Sequence, residues 1–157
     1  MPASKKTLID IIGLLLLALV VVLGYKLSPL LLPPSDVAAE PGPGCDLHAG
    51  SCQASLPGGG TVTFAISPRP IPMVAPLQLE VSVTGKEAGK VEVDFAGVDM
   101  NMGLNRPQLE ALGGGRYRGQ GTLPVCVSGA MDWRATVLVE SGRERISIPF
   151  RFSSSRS

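Results

Sequence analysis

The chain has 157 residues, room for one domain and a modest appendage. Its formal net charge is +1, which excludes the concentrated basic face a nucleic-acid partner needs. Only 17 % of residues are charged while mean hydropathy is +0.28, and one apolar N-terminal segment accounts for much of that excess.

Lys5 and Lys6 precede an apolar stretch over residues 8–25 that is long enough to cross a bilayer as a helix. Asp10 is the one charge inside it, a helical turn from Lys6, where pairing or snorkelling makes it tolerable. Two lysines before the run and Lys26 after it favour an N-inside orientation. Residues 1–7 are therefore expected in the cytoplasm and 8–26 as a transmembrane signal anchor. The alternative is a cleaved signal peptide. Val37-Ala38-Ala39 has the small residues for it but lies far beyond Leu23, behind a lysine and several prolines. A lipid anchor at Cys45 is disfavoured, because Pro43-Gly44 precedes it where a Leu/Ala-type lipobox would stand. On either reading the rest of the chain is exported.

Residues 27–44 carry Pro29, Pro33, Pro34, Pro41 and Pro43 with little periodicity, and read as an extended, semi-rigid spacer. The next stretch, Cys45-Asp46-Leu47-His48-Ala49-Gly50-Ser51-Cys52, holds two of the three cysteines and the only histidine. Cys126 is the third. In an oxidising compartment three cysteines imply one disulfide and a spare thiol, and the sequence leaves the three pairings open. A disulfide pinning this arm to the domain is favoured over a thiol/imidazole metal site, and His48 taken alone reads as a solvated loop residue.

From Gly58 onward strand-like runs recur every 10–15 residues or so. They cover residues 61–66, 77–83, 91–95, 109–112, 117–123, 133–139 and 146–152, most of them alternating apolar and polar and separated by Gly- or Pro-rich turns. With 19 glycines, 14 prolines and no amphipathic helix, the expected class is all-β. Its expected form is an immunoglobulin-like antiparallel two-sheet sandwich of about seven strands over residues 45–152, preceded by one transmembrane helix. Pro149 points to an edge position for the last strand. Residues 153–157 read as a disordered tail.

Catalysis finds little support. No serine or cysteine nucleophile has a base other than His48, and Gly58-Gly59-Gly60 and Gly113-Gly114-Gly115 lack the lysine and helix of a phosphate cradle. The chain reads as a non-enzyme, and no small-molecule substrate suggests itself. Soft-metal binding is the sharper expectation. In Gly97-Val98-Asp99-Met100-Asn101-Met102-Gly103 two methionines stand two residues apart, which on an extended backbone puts both thioethers on one side, roughly 6.5–7 Å apart. Cu(I) prefers thioether, thiolate and imidazole ligands. The candidate ligands are Met100 and Met102, then Cys126, Met131, Cys45, Cys52 and His48, provided the loops before Trp133 and after Asp94 lie at the same end of the domain. Asn105 and Arg106 would supply supporting hydrogen bonds. The competing reading makes the methionines gap-filling hydrophobes and Trp133 a core residue.

An N-terminal anchor, a small exported β domain, the Asp99-Met100-x-Met102-Gly103 loop, Leu123-Pro124-Val125-Cys126 and Met131-x-Trp133 together resemble the YtkA-like/FixH-like group of bacterial proteins. The chain departs from the FixH pattern in lacking a tryptophan-rich start to the anchor. The resemblance implies a single-pass protein of the bacterial inner membrane with a periplasmic domain that binds Cu(I). It further implies copper chaperones or oxidase subunits as partners, in metal delivery or cytochrome oxidase assembly. The alternative is a metal-free periplasmic interaction or assembly module with a structural disulfide, and a third reading is a thiol-redox partner using Cys45 and Cys52.

Overall fold

The computed structural model describes residues 4–31, 35–101, 103–124 and 130–155. The chain divides into two compact units, Met1–Pro34 and Ser35–Ser157.

The first unit is one helix, α1 (Lys5–Leu31), 27 residues long. Its Leu, Ile and Val side chains point in every direction, and over the 24-residue apolar window Lys5–Ser28 none of that surface is buried inside the protein. An all-round apolar helix needs an apolar surrounding. At 1.5 Å per residue the window spans about 36 Å, more than the hydrocarbon thickness of a bilayer. Length and composition therefore suit α1 to crossing a membrane. The helix continues beyond the expected limit at residue 26, to Leu31.

The second unit is built of β1 (Ser35–Ala38), β2 (Cys52–Ser55), β3 (Thr61–Ser67), β4 (Leu77–Thr84), β5 (Lys90–Gly97), β6 (Gln108–Gly113), β7 (Arg116–Gly121), β8 (Ala130–Ser141) and β9 (Glu144–Ser155). The all-β expectation holds. The seven expected strands correspond to β3 through β9, and two short strands add to them. The nine form one continuous sheet in the order β1-β9-β8-β5-β6-β7-β4-β3-β2. This differs from two separate layers at the β5–β6 junction, where Val91 pairs with Leu109 and Glu92 with Gln108. Val93 N–H to the Pro107 carbonyl (3.1 Å) and Phe95 N–H to that of Asn105 (2.9 Å) extend the contact.

The sheet curls because strict alternation gives every long strand one apolar face. In β3 Val62, Phe64 and Ile66 are buried, in β5 Val91, Val93 and Phe95, and in β8 Trp133, Ala135, Val137 and Val139. Only by folding these faces onto one another does the sheet take them out of water. Phe64 of β3 and Phe150 of β9, distant in strand order, meet with ring centroids 5.3 Å apart, and Phe95 meets Phe152 edge-on at 6.5 Å. Among the described residues every buried side-chain nitrogen and oxygen has a partner.

Within the expected extended, semi-rigid spacer over 27–44, residues 35–42 pair with the sheet. β1 pairs in parallel with the start of β9, and Ala39 N–H then reaches the Ser147 carbonyl (3.0 Å). Pro41 next bridges to Ala54, and Gly42 N–H donates to Gln53 (2.8 Å), both on β2. One short segment thus bonds first to one side of the curled sheet and then to the other, covering edges that would otherwise stand open to another chain. β9 is not the outermost strand at its start. Pro149 lies past the last residue that β1 covers, where its missing N–H leaves no neighbour unpaired. The serine tail is a further correction. Ser153, Ser154 and Ser155 pair with Asp132, Met131 and Ala130, and Ser154 is only 1 % exposed.

Candidate functional site

Strand register decides which candidates can meet. Gly97 at the end of β5 pairs with Trp133 near the start of β8, which pairs in turn with Phe152 near the end of β9. Val98 N–H continues the ladder to the Asp132 carbonyl (2.9 Å). The loop after β5 therefore leaves the sheet beside the start of β8. Tracing the pairings across β6, β7, β4 and β3 puts Gly121, Leu77, Ser67 and Cys52 at this same end.

Here Met100 and Met131 border a single cavity of about 240 Å³, completed by Asp99, Ala130, Asp132 and Ser153. Gly97 makes the approach possible. A Cβ on it would collide with the Met131 methyl and stand 2.6 Å from the Met100 carbonyl oxygen. Met131 is half-buried against the core, while Met100 is 52 % exposed. Met102 and Cys126, the other two candidates of this region, lie outside the described residues.

Trp133 is fully buried and its indole N–H donates to the Ser154 hydroxyl (2.7 Å). This is the core placement expected on the competing reading. Asn105 and Arg106 bond to neighbouring parts of the chain. The Asn105 amide donates to the Thr122 carbonyl (2.8 Å), and Arg106 pairs with Asp94 (3.4 Å). Asn101 closes the loop tip by accepting from Gly103 N–H (3.0 Å), a local turn device.

Of the possible cysteine pairings, the structure contains Cys45–Cys52. Each sulfur is bonded to the other, so neither offers a thiolate to a metal in this state, and a ligand role for them would require reduction. Cys52 is buried on β2 and Cys45 is half-buried beside it. A recess of about 610 Å³ surrounds the arm, walled by small residues and backbone such as Gly42, Gly44, Gly50 and Ser51. His48 is not simply solvated. Its Nε2–H donates to the Ser153 carbonyl on β9 at 2.6 Å, and Ser153 lines the methionine cavity.

Among the described residues no three His, Cys, Asp or Glu side chains cluster as a metal centre. A metal at this end would therefore rest first on Met100 and Met131, since Asp132, next to Met131 on β8, alternates to the other face of the strand. Thioether sulfur suits a soft monovalent ion such as Cu(I). Asp99, Asp132 and Ser153 were not foreseen as part of the site.

Fold and site define a β protein with a half-exposed thioether cavity, preceded by a helix fit to span a membrane. Comparison with protein-family models, curated proteins and solved structures finds no match to the chain.

Proposed function

We propose that the protein is a membrane-anchored Cu(I)-binding protein, in keeping with the YtkA-like/FixH-like resemblance of its methionine loop. On this reading α1 is an uncleaved inner-membrane anchor with a cytoplasmic N-terminus. The β unit is an immunoglobulin-like sandwich in the periplasm, its two layers stitched together through β6. Its partners are copper chaperones or oxidase subunits, and its role is metal delivery or cytochrome oxidase assembly. The observation that carries the proposal is the shared cavity of Met100, on the loop after β5, and Met131, on β8. Two thioethers, half-exposed, suit an ion that must be passed on.

The test is an anaerobic Cu(I) competition titration of the full chain in detergent micelles. Sub-micromolar binding is expected, and Met100→Ala/Met131→Ala should weaken it by at least about a hundredfold, the upper end of what loss of a single supporting residue does at a metal site. Absence of sub-micromolar binding in the wild type sinks the copper reading.

A metal-free docking module is the second reading. It is favoured by Val74, Met100 and Leu104, which are 64 %, 52 % and 82 % exposed on loops at this same end. Exposed apolar loops with a flexible methionine suit an adaptable contact surface. The same titration separates the two readings.

A further inference from the structure

The 45–52 arm touches the methionine cavity's wall at one residue, Ser153 of β9, whose carbonyl receives the His48 hydrogen bond. Asp46 organises the arm's turn: its carboxylate accepts from His48 N–H (2.9 Å), and its carbonyl accepts from the N–H groups of Ala49 and Gly50 (3.1 Å each). Leu47 is completely buried, so the turn is anchored in the core at the residue before the imidazole. The Cys45–Cys52 bond closes the loop around this turn. His48 is thereby held against β9 and donates to the Ser153 carbonyl, at the stretch of that strand that β1 does not cover. Ser153 lies opposite Asp132, beside the Ser154 that receives the Trp133 indole, and it forms part of the cavity wall.

We propose that the disulfide-closed arm is a redox-sensitive strap. In it His48 acts as a positioning residue that sets the Met100/Met131 cavity through the Ser153 carbonyl. Metal capture by the two methionines then depends on whether Cys45 and Cys52 are joined. The metal half of this inference rests on the copper reading; the mechanical half does not.

The chemistry of release requires an external dithiol. One of its thiolates attacks Cys45 Sγ, the less buried of the two sulfurs, forming a mixed disulfide and expelling Cys52 as a thiolate that takes up a proton. The second thiol of the reductant then displaces Cys45. The dithiol ends as a disulfide and the protein holds two thiols, two electrons and two protons having been transferred. With the loop open, only the Leu47 contact and the turn hold His48 at Ser153.

The test uses the full chain in micelles with methyl-labelled methionine, first without metal. Cys45→Ser/Cys52→Ser removes the cross-link without adding thiolates. His48→Ala removes the donor, and His48→Gln restores a donor without an imidazole. The serine pair and His48→Ala should move the Met100 and Met131 methyl signals while that of Met1 stays in place, and His48→Gln should return them toward wild type. In Cu(I) titration the first two should weaken binding about 10- to 100-fold, as loss of a supporting contact does at metal sites, with His48→Gln rescuing. Unmoved methyl signals in both overturn the strap. Moved signals with no copper binding by the wild type support the strap and reject only the copper reading. Unmoved signals in His48→Ala, together with affinity lost in both His48 variants, make the imidazole a ligand and overturn its positioning role. Should the serine pair not fold, the two His48 variants decide the matter by themselves.

Discussion

Trp133→Ala is expected to lower the unfolding free energy of the β unit by about 3–5 kcal/mol, the range for truncating a buried aromatic. Trp133 is among the largest fully buried side chains, and it sits between Gly97 on one neighbouring strand and Phe152 on the other. Two effects add. Removing the indole leaves a void that the pleated walls of β5 and β9 cannot close. It also strands the Ser154 hydroxyl, 1 % exposed, without the donor it receives at 2.7 Å, and an unmet buried polar group costs about 1–3 kcal/mol. Trp133→Phe separates the two by keeping most of the volume and losing the N–H, so it should fall well short of the alanine variant. Urea unfolding of the full chain followed by circular dichroism measures both. With total stabilities of about 5–15 kcal/mol usual for single domains, the alanine variant should unfold at much lower denaturant. A loss below about 1 kcal/mol would show that the indole is not a keystone of the core.

The same tryptophan shows how far local pattern reaches. β3, β4, β5, β8 and β9 are legible because large apolar residues alternate along them, as Leu77, Leu79, Val81 and Val83 do in β4, whereas β6 and β7 bury only Leu109 and Tyr117 and are marked chiefly by the glycine turn between them. β1 and β2 are not legible. Ser-Asp-Val-Ala carries one large apolar residue, and Cys-Gln-Ala-Ser alternates buried and exposed positions with side chains too small to register as a hydrophobic face. Both are strands because β9 and β3 present free backbone to them, a tertiary cause. Alternation also tells which face turns inward but not which strands are neighbours, so the junction at β6 lay beyond it. The end of β5 and the start of β8 lie together through the Gly97–Trp133 register, which alternation alone does not tell. The contributions of Ser153 and Ser154 were hidden in a serine-rich tail whose composition suggests disorder. One signal pointed there: a core tryptophan requires a partner for its N–H, and the last strand is a natural place to seek it.

Gly97→Ala is expected to destabilise the β unit by about 1–3 kcal/mol, the usual range for overpacking, and to disturb the methionine cavity more than its one methyl suggests. The β5 backbone at Gly97 does not need glycine for its conformation, since its φ is not among the positive values found in the hairpins. Space is the constraint. The added Cβ would strike the Met131 methyl, the far end of a flexible side chain that can swing aside, and would stand 2.6 Å from the Met100 carbonyl oxygen, which is backbone and can yield only by moving the loop. Both methionines must therefore shift while the Gly97–Trp133 pairing and the core below persist. Folding and site should separate in this variant. A modest shift of the urea midpoint should accompany displaced Met100 and Met131 methyl signals and, on the copper reading, Cu(I) affinity reduced at least about tenfold, as when support for a metal ligand is lost. Gly103→Ala provides the contrast. It has a φ of 79° but open space around it, so its cost is conformational and local. If Gly97→Ala disturbs the methionine signals no more than Gly103→Ala does, close packing of Met131 on Gly97 does not shape the cavity.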